Sequence, residues 1–180
     1  MVLVDYQARL LPAIDGSRAV LDHARQLAKI AKVMGVPIIG TEQNPRGLGP
    51  TEESLRALVP TTVEKMHFDA CRDGLVDALA RRPDGSPPCQ DVALAGCETH
   101  VCLLQTGLGL IEAGLRVWVV ADACGSRSPL NKALGLARLA KAGATIVDTE
   151  MVAFEWLETC AHPDFKEVLR LVKEADFSKC

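Results

Sequence analysis

A carboxylate, an ammonium and a thiol stand at three points of this chain where the flanking residues call for the same local structure. Asp5 ends the apolar run Val2-Leu-Val4, Lys65 ends Thr62-Val-Glu64, and Cys102 follows Gly96, where the run Val92-Ala-Leu-Ala95 stops. Short runs of this composition are strands. The residues after Gly96 read as a tight turn, and Thr99 as the opening of an amphipathic helix that carries the thiol in its first turn. The first N–H groups of a helix lack intrahelical acceptors, and the helix dipole is positive there. A thiol so placed is expected to have a lowered pKa and to act as a nucleophile, with an ammonium favouring its thiolate and a carboxylate shuttling its proton. Each residue alone has a plainer reading: a buried cysteine, a strand-end turn aspartate, a solvated rim lysine. Their common position favours chemistry, because ligands of parallel α/β sheets sit at the carboxyl ends of the strands.

The elements that must position these groups are legible as alternating apolar runs and stretches of helical period, the pattern of an α/β sandwich with helices on both faces of a six-stranded parallel sheet. Strands are expected at 2–5, 36–41, 62–65, 91–95, 116–121 and 144–147. Helices are expected at 17–34, 72–80, 99–113, 129–141, 151–159 and 164–173, with Val20, Leu21, Ala24, Leu27, Ala28 and Ala31 on the buried face of the first. Residues 43–50, with Pro45, Pro50, Gly47 and Gly49, are expected to be loop; 81–88 is expected to be a surface connection. With 180 residues, 48% of them hydrophobic, the whole chain 1–180 is expected to form one domain around one core.

Composition excludes several classes. A net charge of −3, with 20 Lys and Arg spread along the chain, argues against nucleic acid as a partner. Seven cysteines without a CxxC pair, and no charged-then-apolar segment before the first strand, point to reduced thiols in a cytoplasmic setting. Apolar runs fall far short of a membrane span. No metal site is expected, since His23, His67, His100 and His162 form no ligand pattern with one another or with the cysteines. No cofactor is expected either, because Gly107 and Gly109 lie within a helix instead of in a strand-to-helix turn. His100, two residues from Cys102, would point to another helix face and reads as a packing or pocket-rim residue. His67 reads as a pocket wall, His23 and His162 as surface and cap positions, and Asp122 as part of a polar turn.

In order along the chain, Asp5-Tyr-Gln7, Lys65-Met-His-Phe68, Gly96-Cys-Glu-Thr-His-Val-Cys102 and Ala121-Asp-Ala-Cys-Gly-Ser-Arg-Ser128 resemble the motifs of the isochorismatase-like cysteine hydrolase superfamily, and cover essentially the whole chain. Thr41-Glu-Gln-Asn-Pro-Arg-Gly-Leu-Gly49 and His162-Pro-Asp-Phe-Lys-Glu167 further resemble its isochorismatase domain-containing branch. The resemblance implies a Rossmann-like isochorismatase fold and a catalytic triad of Asp5, Lys65 and Cys102. It also implies a cis peptide between Cys97 and Glu98 that turns a backbone N–H, with that of Cys102, toward an oxyanion. Gln7, Gln43, His67 and Phe68 become expected substrate-pocket residues. Nicotinamidases of the superfamily carry an Asp-x-His-x-His metal site after the second strand, whereas Thr41-Glu-Gln-Asn44 has no histidine. Relatives that cleave the vinyl ether of isochorismate do not rely on the cysteine. The expectation is therefore a metal-independent, cofactor-free hydrolase that cleaves the C–N bond of a small-molecule amide, or less readily an ester, through a Cys102 acyl-enzyme. Relatives commonly assemble, so a homo-oligomer is expected, with Phe154 and Trp156 as candidate interface residues. A non-catalytic scaffold of the same fold, and a thiol redox sensor pairing Cys102 with Cys97 or Cys124, are the alternatives.

Overall fold

In the computed structural model, which describes residues 1–81 and 90–174, six parallel strands form one twisted sheet. The strands are β1 (Val2–Val4), β2 (Ile39–Gln43), β3 (Thr61–Lys65), β4 (Asp91–Gly96), β5 (Arg116–Val120) and β6 (Thr145–Val147), in the order β3-β2-β1-β4-β5-β6. Apart from Arg81, the connection expected at 81–88 lies outside the described residues. Burial follows strand position: every residue of the inner strands β1 and β2 is buried, whereas the edge strand β3 exposes Thr61, Thr62 and Glu64 and buries only Lys65 fully. This order makes β1 and β4 neighbours whose chains leave toward opposite ends of the sheet, which opens a crevice at their carboxyl ends.

The main helices are α1 (Ser17–Val33), α5 (Cys102–Glu112), α6 (Pro129–Lys141), α7 (Thr149–Leu157) and α8 (Phe165–Glu174), with the shorter α2 (Pro45–Leu48), α3 (Glu53–Arg56) and α4 (Leu75–Ala80) between them. Helix α1 packs with α7 and α8 in one layer, and α5 with α6 in the other. The expected face of α1 is buried at Val20, Ala24, Leu27, Ala28 and Ala31, while Leu21 is only partly covered. Leu27, Leu94, Leu103, Leu110 and Leu139 are fully buried and contribute about 2 kcal/mol each by removal of apolar area from water. A satellite cluster of Ile30, Ala153, Leu157, Val168 and Leu171 seals α1 against α7 and α8. No helix among the described residues is long and apolar enough to cross a membrane.

Of the boundaries that differ from the sequence-based expectation, three bear on the site. Strand β2 starts at Ile39 and runs to Gln43, so Glu42 and Gln43 are strand residues. Upstream, Pro37 has no N–H to give a ladder, and its carbonyl accepts instead from the Met1 ammonium at 2.8 Å. The segment 43–50 is not all loop: it holds α2, with Asn44 in the left-handed region and Pro45 at a first helical position, where its missing N–H costs nothing. Helix α5 opens at Cys102 instead of Thr99, because the Thr99 N–H and Oγ1 both donate to the Gly125 carbonyl, at 2.8 and 2.9 Å, and hold that residue outside the helix.

Candidate active site

The turn that delivers Cys102 is built against β1 and the segment after β5. Gly96 has φ +154°, and a Cβ there would lie 2.4 Å from the Val4 carbonyl oxygen, so no other residue fits. Cys97 N–H then donates to Val4 O at 2.9 Å, and the Cys97–Glu98 peptide is cis. The Glu98 side chain leaves the site and takes a two-pronged contact from Arg127, at 2.8 and 2.9 Å. Those hydrogen bonds hold its carboxyl below the usual range, against the opposing effect of burial. From the other side, α6 approaches so closely that a Cβ at Gly135 would lie 2.6 Å from Thr99 O. The result sets Cys102 as the first residue of α5, where its N–H lacks an intrahelical acceptor.

Asp5, at the end of β1, has φ +53°, a left-handed conformation that Asp tolerates better than most residues. Its carboxylate is fully buried; Oδ1 accepts from Thr41 Oγ1 at 2.6 Å, and Oδ2 lies 2.7 Å from Lys65 Nζ. The Lys65 side chain is fully buried as well, and its ammonium also donates to Gln43 Oε1 at 2.6 Å and, at longer range, to the carbonyls of Phe68 at 3.4 Å and His67 at 3.5 Å. Gln43 Oε1 in turn lies 3.9 Å from Cys102 Sγ, within reach of the thiol hydrogen. Asp5, Lys65, Gln43 and Cys102 therefore share one buried cluster at the carboxyl edge of β1, β2 and β3 and the start of α5.

The thiol's electrostatics reverse the expectation. Burial, first, and the Asp5 charge push the Cys102 thiol up to about 12, and Lys65 only partly offsets them. Resting Cys102 is therefore a neutral thiol near the Asp5 side chain. Cys124 is likewise pushed up to about 12 by burial, and Cys97 is raised further, so neither is poised as a thiolate.

Of the residues expected in the pocket, only Gln43 has its side chain in this cluster. Gln7 is fully buried behind it: its amide accepts from Gln43 N–H at 2.8 Å and donates to the carbonyls of Gln43 and Gly49, at 3.0 and 2.6 Å, fastening the ends of β1 and β2 to the following loop. His67 and Phe68 offer backbone carbonyls to Lys65. The His67 ring pairs with Asp73 at 3.0 Å, and Phe68 is half exposed. Asp73 also accepts from the N–H groups of Met66 and His67, which ties down the turn bearing those carbonyls. Thr41 was not anticipated, although it lies two residues before Gln43 and must share its strand face. His100 is not helical: its ring bonds Ser126 Oγ at 3.1 Å and accepts from Asn131 at 3.2 Å, a packing role. Asp122 accepts from the Thr149 N–H and hydroxyl and pairs with His23 at 3.1 Å, joining α1 to α7 away from the thiol. His23 is thus a paired residue and not a free surface position. Trp156 packs partly against the core, and Phe154 remains 38% exposed.

This arrangement, a buried Asp–Lys pair facing a cysteine at a helix start in a 3-2-1-4-5-6 parallel sheet, defines a hydrolase-type α/β fold. The isochorismatase domain matches residues 1–151, and the chain belongs to that family. It is 37% identical over 174 residues to isochorismatase domain-containing protein 2A of Mus musculus, covering 97% of this chain and 82% of that protein. Among solved structures it is similar to the MAR1 ribonuclease of Caenorhabditis elegans, with a TM-score of 0.88 and 32% identity over 96% of this chain and 88% of that one. It is also similar to the YcaC gene product of Escherichia coli, described as an octameric hydrolase of unknown specificity, with a TM-score of 0.77 and 26% identity over 96% of this chain and 92% of that one.

Proposed function

We propose that this protein hydrolyses the C–N bond of a small amide, with an ester as the less favoured substrate, through an acyl-enzyme on Cys102. The observation that carries the reading is the neutral thiol held against a buried carboxylate whose counter-ion is a buried lysine. Asp5 Oδ2 is the base: its contact with Lys65 lies outside hydrogen-bonding angles, which leaves lone pairs for the thiol proton. As Sγ attacks the carbonyl carbon, the S–H bond breaks, the proton passes to Asp5 and the carbonyl π pair moves to oxygen. The orphan N–H of Cys102, with the neighbouring turn, receives that oxyanion. Asp5 then returns the proton to the departing nitrogen as the C–N bond breaks. Water, deprotonated by Asp5, adds to the thioester; release of the acid regenerates the thiol. Lys65 remains cationic throughout and stabilises negative charge first on Asp5 and then on sulfur.

Cys102 is only 7% exposed, which favours a small acyl group. The same burial, with a net charge of −3, gives no support for extending the ribonuclease name of one relative to this chain. A homo-oligomer is part of the proposal, supported by the octameric description of the Escherichia coli relative and by Leu130 and Leu134, which are one helical turn apart on α6 and exposed at 66% and 56%. The test is a panel of small amides and esters, scored by acid release and by the mass of acylated Cys102. Turnover with an adduct that vanishes in Cys102→Ala is expected. Turnover surviving that substitution, or no turnover and no adduct across the panel, refutes the reading; the second result favours a scaffold.

A further inference from the structure

Gln43 has every polar atom engaged inside the protein. Its side-chain Nε2 donates to Met66 O at 2.8 Å, which fixes the amide so that Oε1, not the NH₂ group, faces the ammonium. Its backbone is held on both sides by Gln7. A lysine ammonium has three protons. One is committed to Gln43 Oε1 at 2.6 Å, whereas the 2.7 Å contact with Asp5 Oδ2 is an ion pair without a directed hydrogen bond. The others have only that ion pair and long contacts to carbonyls at 3.4 and 3.5 Å, and are free to swing onto sulfur.

We propose that Gln43 is a positioning residue for Cys102, not a substrate contact: its carbonyl oxygen holds the Lys65 ammonium beside Asp5 and receives the S–H of the resting thiol. Its dipole presents negative charge to the sulfur and so opposes thiolate until the proton has moved. The charges acting on that thiol come from Asp5, after β1, and Lys65, on β3; Gln43 stands between them on β2. The proposal rests on the acyl-enzyme reading for its catalytic meaning, but the geometry can be tested without any substrate.

The experiment is the pH dependence of iodoacetamide labelling at Cys102, followed by mass spectrometry, in the wild type, Gln43→Met and Gln43→Glu. Met keeps the volume and removes the acceptor, so labelling is expected to shift to lower pH and to be about tenfold faster at a fixed pH below the midpoint, the equivalent of one pKa unit. Substrate turnover in that variant is expected to fall. Glu keeps the acceptor, so labelling should be no faster than in the wild type. An unchanged profile in Gln43→Met overturns the proposal, and so does acceleration in both variants, which would mean a loosened site. Failure of the acyl-enzyme reading is recognised separately, by turnover that survives Cys102→Ala while the labelling shifts remain.

Discussion

The Asp5–Lys65 pair makes the most demanding prediction, because both side chains are fully shielded from water. At 2.7 Å and an effective dielectric of about 20, their attraction is roughly 6 kcal/mol before desolvation is subtracted. Desolvation consumes much of that, but removing one partner leaves an uncompensated buried charge, which typically costs 3–5 kcal/mol, so Lys65→Met should fall at about that level. Asp5→Asn should cost less, about 2 kcal/mol, since Lys65 keeps Gln43 Oε1 and two carbonyls as acceptors and Asn also accepts the left-handed backbone of position 5. The double variant should recover about 2 kcal/mol relative to the sum of the single losses, the signature of coupled neighbours. Urea unfolding of the four proteins at pH 7 measures all three quantities. Single losses below about 1 kcal/mol that simply add would place the pair in the range of solvated surface bridges and refute the dry charged site on which the mechanism depends.

Three further outcomes are expected. The Cys102 thiol is raised to about 12 from an ordinary value near 8.5, so the folded state keeps its proton where the unfolded state loses it, and stability should fall as pH rises above about 8.5. Urea midpoints at pH 8, 9 and 10 should drop more steeply for the wild type than for Cys102→Ser; parallel slopes would contradict the raised thiol. Glu98, held below its usual range by the Arg127 hydrogen bonds, contributes stability above its unfolded pKa that is lost as pH falls through the folded value. Glu98→Gln should therefore lower Tm at pH 7 and have progressively less effect as pH falls below the usual carboxylate range, and a loss independent of pH would disprove the assignment. Gly135→Ala places a Cβ 2.6 Å from a backbone oxygen that cannot rotate away, so it should cost about 1–3 kcal/mol and slow adduct formation at Cys102. Thermal melts and labelling at wild-type rates would exclude that close approach.

What was legible in the sequence followed from period and punctuation. Six strands and the main helices emerged because buried strands read as short apolar runs and α1 repeats its apolar residues at helical spacing. Boundaries failed where side chains outcompeted the local pattern: Thr99 was drawn out of α5 by a carbonyl 26 residues away, and Pro37 postponed β2. The convergence of Asp5, Lys65 and Cys102 followed from their strand-end positions, but the neighbours that hold them did not. Whether Gln7 or Gln43 faces the thiol depends on which amide the Gly49 carbonyl claims, a contact across 42 residues that no local signal carries.

The thiol is the instructive case, because the elementary contributions were identified and their sum had the wrong sign. A helix N-terminus and a lysine both favour thiolate, and counting them alone predicts a reactive sulfur. That count gives too little weight to burial and to Asp5 as a negative neighbour of the sulfur. In the fold, burial first and then the neighbouring Asp5 charge outweigh Lys65. The same carboxylate that must accept the proton thus keeps it on sulfur at rest. On the proposed mechanism, moving the proton converts Asp5 from an opponent of thiolate into a neutral neighbour and leaves Lys65 unopposed, so activation and proton transfer are one event. A site of this design has little nucleophilicity until an acyl carbon lies against Sγ. Asp5→Asn should accordingly raise the rate of iodoacetamide labelling at Cys102 relative to the exposed Cys160 while abolishing amide turnover. Labelling that slows together with turnover would mean that Asp5 activates the resting thiol after all.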